Sequence, residues 1–288
     1  MVDVDVAPAA ELLRAGKLVA IPTETVYGLA ANALDENAVR RIFEAKGRPY
    51  SSPLIVHVAD LAMARDLASE WPPEAEKLAE RFWPGPLTII VPKSDKVPDL
   101  VTAGLPSVAL RMPAHPVALA VIRAAGIPLA APSANRFTQL SPTTAQHVRD
   151  GLGDAVELIV DGGPCTVGIE STVISLTGPV PRILRPGMIS QTQIEEVIGP
   201  VEAGAGEESP GQHPKHYSPR TRVVIGESPR DGNGVRLEMP QDPAAYAERF
   251  YSKLHELDQQ GFDWIAIELP PDTPEWAGVR DRITRAAH

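Results

Sequence analysis

The sequence predicts an α/β fold: a twisted mixed sheet with flanking helices, followed by a smaller α/β unit. Two observations carry this prediction. Short apolar runs with strand character alternate with helical periodicity up to about residue 198, the signature of helices packed on a sheet. A stretch almost without aliphatic residues, GPVEAGAGEESPGQHPKHYSPR at 199–220, then interrupts the pattern and reads as a linker. The expected organisation is a first domain at 1–199, a linker at 200–220 and a small C-terminal domain at 221–288.

Taken in order, residues 7–16 form a short helical pattern that leads into a strand at 17–21. Asp35 is placed to cap a helix at 36–45, with Ala38, Ile42 and Phe43 as its apolar stripe, and Gly47 and Pro49 end it. Ser52-Pro53 opens a strand at 54–58. Asp60 can cap a helix through 68, and another is expected at 74–82, stopped by Trp83-Pro84-Gly85-Pro86. Strands at 87–91 and 108–111 follow, then a helix at 116–125 stopped by Gly126 and a strand at 128–131. Ser141-Pro142 looks like a helix start, with Ser141 as cap and Pro142 at the first helical position, and the helix reaches about 149. Strands at 156–160, 172–176 and 182–184 come next, the last two paired around Gly178-Pro179, and Ser190 caps a helix to 198. After the linker, a strand at 223–225, a helix at 243–260, a strand at 264–269 and a helix at 274–287 complete the chain. This second unit is near the lower size limit for independent stability and is expected to lean on the first.

Composition narrows the function classes. The chain has 288 residues and 43% hydrophobic content, enough for one large or two unequal domains. No apolar run approaches the ~20 residues of a membrane helix, and the N-terminus lacks the apolar core of a signal peptide. Cys165 is the single cysteine, so no intrachain disulfide can form and a cytoplasmic location is the simplest expectation. The net charge of −10 divides evenly: residues 1–200 hold 17 basic and 22 acidic side chains, residues 201–288 hold 10 and 15. Neither part has the basic excess needed to grip nucleic acid over a wide surface, although a local basic pocket is compatible with it.

Several chemistries are excluded by motif. There is no G-x-x-x-x-G-K-[ST] loop, no G-x-G-x-x-G after a strand and no G-x-S-x-G elbow. His213 and His216 have loose metal spacing without further ligands nearby, so no metal site is expected there. What remains is a set of cations and hydroxyls near strand ends, where open α/β sheets build their sites. Lys46 and Arg48 flank a glycine at a helix end, as dipole partners or as a phosphate clamp. His57 ends a buried strand, more often a core position than a catalytic one. Arg111 closes the strand at 108–111, and its burial requires an anion: Glu24, Glu170 or a ligand carboxylate. Ser133 and Asn135 follow small residues that let a ligand approach the backbone. Ser171 and Thr172 begin a strand and Arg185 ends one. This set suits binding and positioning an anionic substrate better than covalent catalysis.

In order along the chain stand PTETVYGL, KGRP, SPLIVHV, FWPGPLT, VALRMPAHP, APSAN with SPT after it, and GIEST…ILRPG. Together they resemble the YrdC-like domain, over residues 8–200. The HPKHYSP linker and the α/β unit after it resemble the two-domain form of the threonylcarbamoyl-AMP synthase family. The resemblance implies a YrdC-like sheet, a Rossmann-like C-terminal unit, and a nucleotidyltransferase that makes threonylcarbamoyl-AMP and pyrophosphate from L-threonine, bicarbonate and ATP. A separate tRNA threonylcarbamoyl transferase would use the product to modify adenosine 37. By resemblance, L-threonine meets Thr25, His57, Arg111, the backbone at Ala131, and Ser171, with Arg111 on its carboxylate. ATP meets Arg48, Ser52, Ser107, Ser133, Ser141, Arg185 and Tyr217, while Lys46 and Arg48 carry the catalytic role by holding the phosphates. The family often has Asn where Ser52 stands. Mg²⁺ is expected to arrive with ATP, without dedicated protein ligands. The C-terminal unit is shorter than the resemblance implies, with a segment missing between 225 and 243. The alternative reading is an RNA-binding YrdC-like module without catalysis, making weak RNA contact. A third, a carbamoyl-transferring maturation enzyme, carries CxxC motifs that a chain with one cysteine cannot supply.

Overall fold

A computed structural model describes residues 4–204, 206, 217–229 and 231–287. The first part runs α1 (Ala7–Arg14), β1 (Val19–Ile21), β2 (Gly28–Asn32), α2 (Glu36–Lys46), β3 (Ile55–His57), α3 (Leu61–Leu67), α4 (Pro73–Phe82), β4 (Leu87–Pro92) and α5 (Asp99–Thr102). It continues with β5 (Ser107–Arg111), α6 (Pro116–Ala125), β6 (Leu129–Ala130), α7 (Ala145–Leu152), β7 (Leu158–Ile159), β8 (Thr172–Ser175), β9 (Arg182–Arg185), α8 (Gln191–Ile198) and β10 (Glu202–Ala203). Among the described residues these strands form one 10-stranded sheet in the order β10-β9-β8-β4-β5-β3-β6-β2-β1-β7. Parallel pairs such as β3 with β5 and antiparallel pairs such as β4 with β5 make it the mixed sheet expected. The second part adds β11 (Arg222–Ile225), β12 (Gly234–Arg236), α9 (Pro243–Asp258), β13 (Trp264–Ile267) and α10 (Ala277–Ala286), with a parallel sheet β11-β13-β12. No helix among the described residues is long and apolar enough to cross a membrane.

Local chemistry explains most boundaries. The Asp35 carboxylate accepts from the amides of Asn37 and Ala38, and Gly47 ends α2 at φ 62°, a left-handed C-cap that glycine adopts without strain. Ser190 and Gln193 form a capping box at α8. One helix start differs from expectation. Ser141 does not cap α7; that helix begins four residues later, and Thr144 caps it through the His147 amide. The Ser141 hydroxyl is buried and donates to the Glu170 carboxylate instead, a stronger acceptor than water. Three strands were not foreseen, one of them β10, which falls within the segment expected as linker and pairs with β9 at the sheet edge. In β2, GLAAN has small residues and no alternation, yet it turns back on β1 and pairs Ile21 with Gly28. The strand β12 occupies the short segment before residue 243.

The sheet has two different faces. Leu54, Val56, Ile89, Leu110 and Ile174 belong to the main core beneath the helices. On the opposite face Ile55, Ile90, Ala109, Val173 and Leu184 form a smaller apolar floor. The C-terminal unit does lean on the first domain, because Val26, Leu140 and Ile169 share a core with Phe250, Tyr251, Leu254 and Ile283. Gly168 lies at this seam with φ +81°, where an added Cβ would come within 2.3 Å of the Ala247 carbonyl.

Candidate active site

Period-2 alternation places Ile55 and His57 of β3 on one face, and the parallel register sets His57 against Arg111 and Ile55 against Ala109 of β5. A cleft runs along this face. Its lining includes Thr25, Arg48, His57, Arg111, Ala131, Ser133, Ser171, Arg185 and Tyr217. Pro53, two residues before β3, and His57, its last residue, are both in the wall, at most about 13 Å apart at ~3.3 Å per residue. The site therefore covers a face of the sheet as well as the strand ends.

At the His57 end the question left by Arg111 has an answer. Its guanidinium meets the Glu24 carboxylate at 2.6 Å, with side-chain exposures of 4% and 7%. Nε donates to the Gly85 carbonyl at 3.2 Å and a terminal nitrogen to Thr25 Oγ1 at 2.9 Å. Glu24 also accepts the Ala114 amide at 3.0 Å. Proton counting then fixes Thr25. The Thr23 hydroxyl donates to the Val26 carbonyl at 2.6 Å, so the 2.9 Å contact between the two threonine hydroxyls is donated by Thr25. Since Thr25 also accepts from Arg111, one lone pair remains for a ligand. Burial, and then the Arg111 charge, push the His57 imidazole down to about 3, so it is neutral at physiological pH. His57 Nδ1 has no hydrogen-bond partner among the described residues. The Ala131 amide donates to the Ile55 carbonyl, which leaves its own carbonyl as the backbone group available there.

The Pro53 end is cationic. Arg48 donates to the Ser52 hydroxyl and to the Pro53 carbonyl at 2.9 Å, and its guanidinium lies 5.9 Å from the Phe137 ring. Burial lowers it to about 10, still far above neutrality. Lys46 sits one layer behind the wall: its ammonium donates to the carbonyls of Ser133 and Asn135, the latter at 2.6 Å. Burial and the Arg48 charge hold it well below the usual lysine range. Ser52 touches the cleft through Arg48, and Ser141 through Glu170. Ser107 is buried at the start of β5, two residues before Ala109 as Pro53 is before Ile55, and does not line the cleft.

A bulge aims the third cation. Val173 pairs with Arg185 and Ile174 with Ile183, which leaves Leu184 as the extra residue of β9. Leu184 joins the floor and Arg185 still faces the cleft, since a bulge turns two successive side chains to one side. Arg185 donates to the carbonyl and hydroxyl of Ser171, both at 3.1 Å, and reaches the Tyr217 hydroxyl at 3.5 Å. Ser171 also shares a 2.7 Å hydrogen bond with Thr88. Tyr217 is held at φ 60°, where a non-glycine residue costs about 1–2 kcal/mol.

The structure thus brings together Thr25, Arg48, His57, Arg111, Ala131, Ser133, Ser171, Arg185 and Tyr217. Sequence reasoning missed Arg282, which pairs with Glu170. Its signal was available: Arg282 lies on the stripe of Val279, Ile283 and Ala286, and a cation on a buried helix face requires a partner. Among the described residues no group of three His, Cys, Asp or Glu could hold a metal; His213 and His216 lie outside those residues.

A sheet face with buried arginines, hydroxyls between them and a neutral imidazole defines an α/β protein whose cleft is suited to a polyanion beside a small polar ligand. Comparison with known proteins specifies it further. Residues 11–187 match the Sua5–YciO–YrdC family, described as telomere recombination, and residues 189–288 match the C-terminal domain of threonylcarbamoyl-AMP synthase. The threonylcarbamoyl-AMP synthase of Bacillus subtilis is 42% identical over 323 aligned positions, covering 99% of this chain and 93% of that protein. That of Pyrococcus abyssi is 53% identical over 238 residues, covering 80% and 70%. The crystal structure of P. abyssi Sua5 complexed with L-threonine superposes with a TM-score of 0.93 at 41% identity, over 98% of this chain and 94% of that one. The chain belongs to the threonylcarbamoyl-AMP synthase family.

Proposed function

We propose that this protein makes threonylcarbamoyl-AMP and pyrophosphate from L-threonine, bicarbonate and ATP. The observation that carries the proposal is the single cleft that gathers Thr25, His57 and Arg111 at the end of β3 together with the cations Arg48, toward Pro53, and Arg185, across the sheet on β9. A relative of the same fold was crystallised with L-threonine. In this reading the threonine carboxylate takes the N–H groups of Arg111 not used by Gly85, Thr25 and Glu24. His57, Ser171, the Ala131 carbonyl and the remaining lone pair of Thr25 hold its polar groups.

The threonine amine and bicarbonate give a carbamate and water. A carbamate oxygen displaces pyrophosphate at the α-phosphorus of ATP. The protein needs no nucleophile; it aligns the reactants and stabilises the phosphate charge. Arg48 and Arg185 do this directly, supported by Ser52, Ser133, Ser141 and Tyr217, while Ser107, off the cleft, is left without a part in it. Lys46 does it by fixing the Ser133–Asn135 carbonyls. Mg²⁺ fits as an ion carried on the phosphates and would neutralise part of their charge. The carboxylates nearby, Glu24 and Glu170, are both committed to arginines. A separate tRNA transferase would consume the product, and the site of action would be the cytoplasm.

Arg48→Ala tests the phosphate assignment. Pyrophosphate release in the presence of L-threonine and bicarbonate should fall about 10²-fold or more, the scale for losing a preorganised donor. Release near the wild-type rate would overturn it.

A further inference from the structure

The C-terminal unit reaches the cleft residue Glu170 through Arg282 and Tyr251, and Arg282 makes the wider set of contacts. Arg282 is fully buried, at 0% exposure. Its Nε donates to Glu170 Oε2 at 2.7 Å, and one terminal nitrogen donates to the Glu170 carbonyl at 3.2 Å. The other terminal nitrogen donates to the Pro186 carbonyl at 3.0 Å and to Asp281 at 2.6 Å. The guanidinium carbon also lies 5.3 Å from the centre of the Tyr217 ring. The three segments tied together each present a cleft group: Glu170 precedes Ser171, Pro186 follows Arg185, and Tyr217 is the third. One turn earlier on α10, Gly278 touches the backbone after Arg185 so closely that an added Cβ would stand 2.7 Å from the Gly187 carbonyl oxygen.

The charges give the contact a direction. Glu170 lines the cleft and is held below the usual carboxylate range despite its burial, by the charges of Arg282 and Arg185 and the hydroxyl of Ser141. Its oxygens are taken by Ser141, Tyr251 and Arg282. An uncommitted carboxylate here would turn to Arg185 and oppose the binding of a phosphate. Only a planar fork with several donors can hold the Glu170 side chain, its carbonyl and the Pro186 carbonyl while stacking on a ring.

We propose that Arg282 is a positioning residue for the nucleotide side of the cleft. It commits Glu170 away from Arg185 and sets the placement of Arg185 and Tyr217. This rests on the reading of Arg185 and Tyr217 as ATP contacts.

The test compares wild type, Arg282→Lys and Arg185→Ala by calorimetry, with a non-hydrolysable ATP analogue plus Mg²⁺ in one titration and L-threonine in another. Arg282→Lys keeps the buried charge and loses the fork. It should weaken the nucleotide about tenfold and leave threonine within about twofold. A side chain that only stabilised the fold would lower the melting temperature and leave both affinities of the folded protein alone. Unchanged nucleotide affinity, or equal loss of both ligands, overturns the proposal. If Arg185→Ala weakens the nucleotide and Arg282→Lys does not, only the role of Arg282 fails. If Arg185→Ala has no effect, the ATP assignment itself fails. Should Arg282→Lys not fold, the double variant Glu170→Gln/Arg282→Met removes the carboxylate together with its partner; the lost placement of Arg185 and Tyr217 should still weaken the nucleotide and leave threonine within about twofold, and unchanged nucleotide affinity overturns the proposal.

Discussion

At the residue scale, the buried charges differ in where their partners lie. Arg111 is closed by Glu24 and Arg282 by Glu170, whereas the hydrogen bonds of Lys46 and Arg48 go to neutral acceptors of the chain. A cation held in the wall by neutral groups, as Arg48 is, is suited to an incoming anion. The closed pairs make a sharp stability prediction. Glu24→Ala strands a buried guanidinium and should cost about 3–5 kcal/mol in denaturant unfolding. A loss below about 1 kcal/mol would show that the Glu24–Arg111 pair is not buried as described. The sequence showed that Arg111 needed an anion but could not choose among three candidates, since the choice depends on which strand ends meet in space.

At the scale of elements, legibility followed the locality of the signal. Helix α2 was readable because Asp35 and Gly47 are its own caps. The start of α7 was misread because a buried carboxylate 29 residues away competes for the Ser141 hydroxyl. Strand β2 was missed because Gly28–Asn32 is held between β1 and β6 by pairing rather than by β-propensity. The bulge in β9 has no sequence signature, yet it aims Arg185. The seam between the two units depends on close backbone approach. Gly278→Ala should cost about 1–3 kcal/mol by overpacking against Gly187, and proteolysis between the units should accelerate. Unaltered stability and cleavage would contradict that packing.

At the scale of the whole molecule, neutral histidines, His57 buried and His115, His147 and His255 half-buried, set a pH dependence. Burial lowers His57 to about 3 and His147 to about 4, and it also lowers His115 and His255. Between those values and the ordinary 6.5, the unfolded chain binds more protons than the folded one. Stability is therefore full above about pH 6.5 and falls as the pH drops toward 4, by at most about 1.4 kcal/mol per pH unit for each histidine. Depressed carboxylates such as Glu170 add to the loss only below about pH 4.5. Melting temperatures at pH 7.5, 6 and 5 should decline in that order, and a flat or rising series would contradict the neutral state of these histidines. The fold class and most of the cleft could be read from ordered motifs. The dependence of that cleft on the C-terminal unit could not, because Arg282 acts across 112 residues of sequence. The central claim is that one cleft joins threonine to the α-phosphate of ATP. Pyrophosphate release by the full chain, with ATP, bicarbonate and Mg²⁺, measured with and without L-threonine, tests it most directly. The account predicts release that requires L-threonine and matches threonylcarbamoyl-AMP mole for mole, whereas release indifferent to threonine, or none, would contradict it.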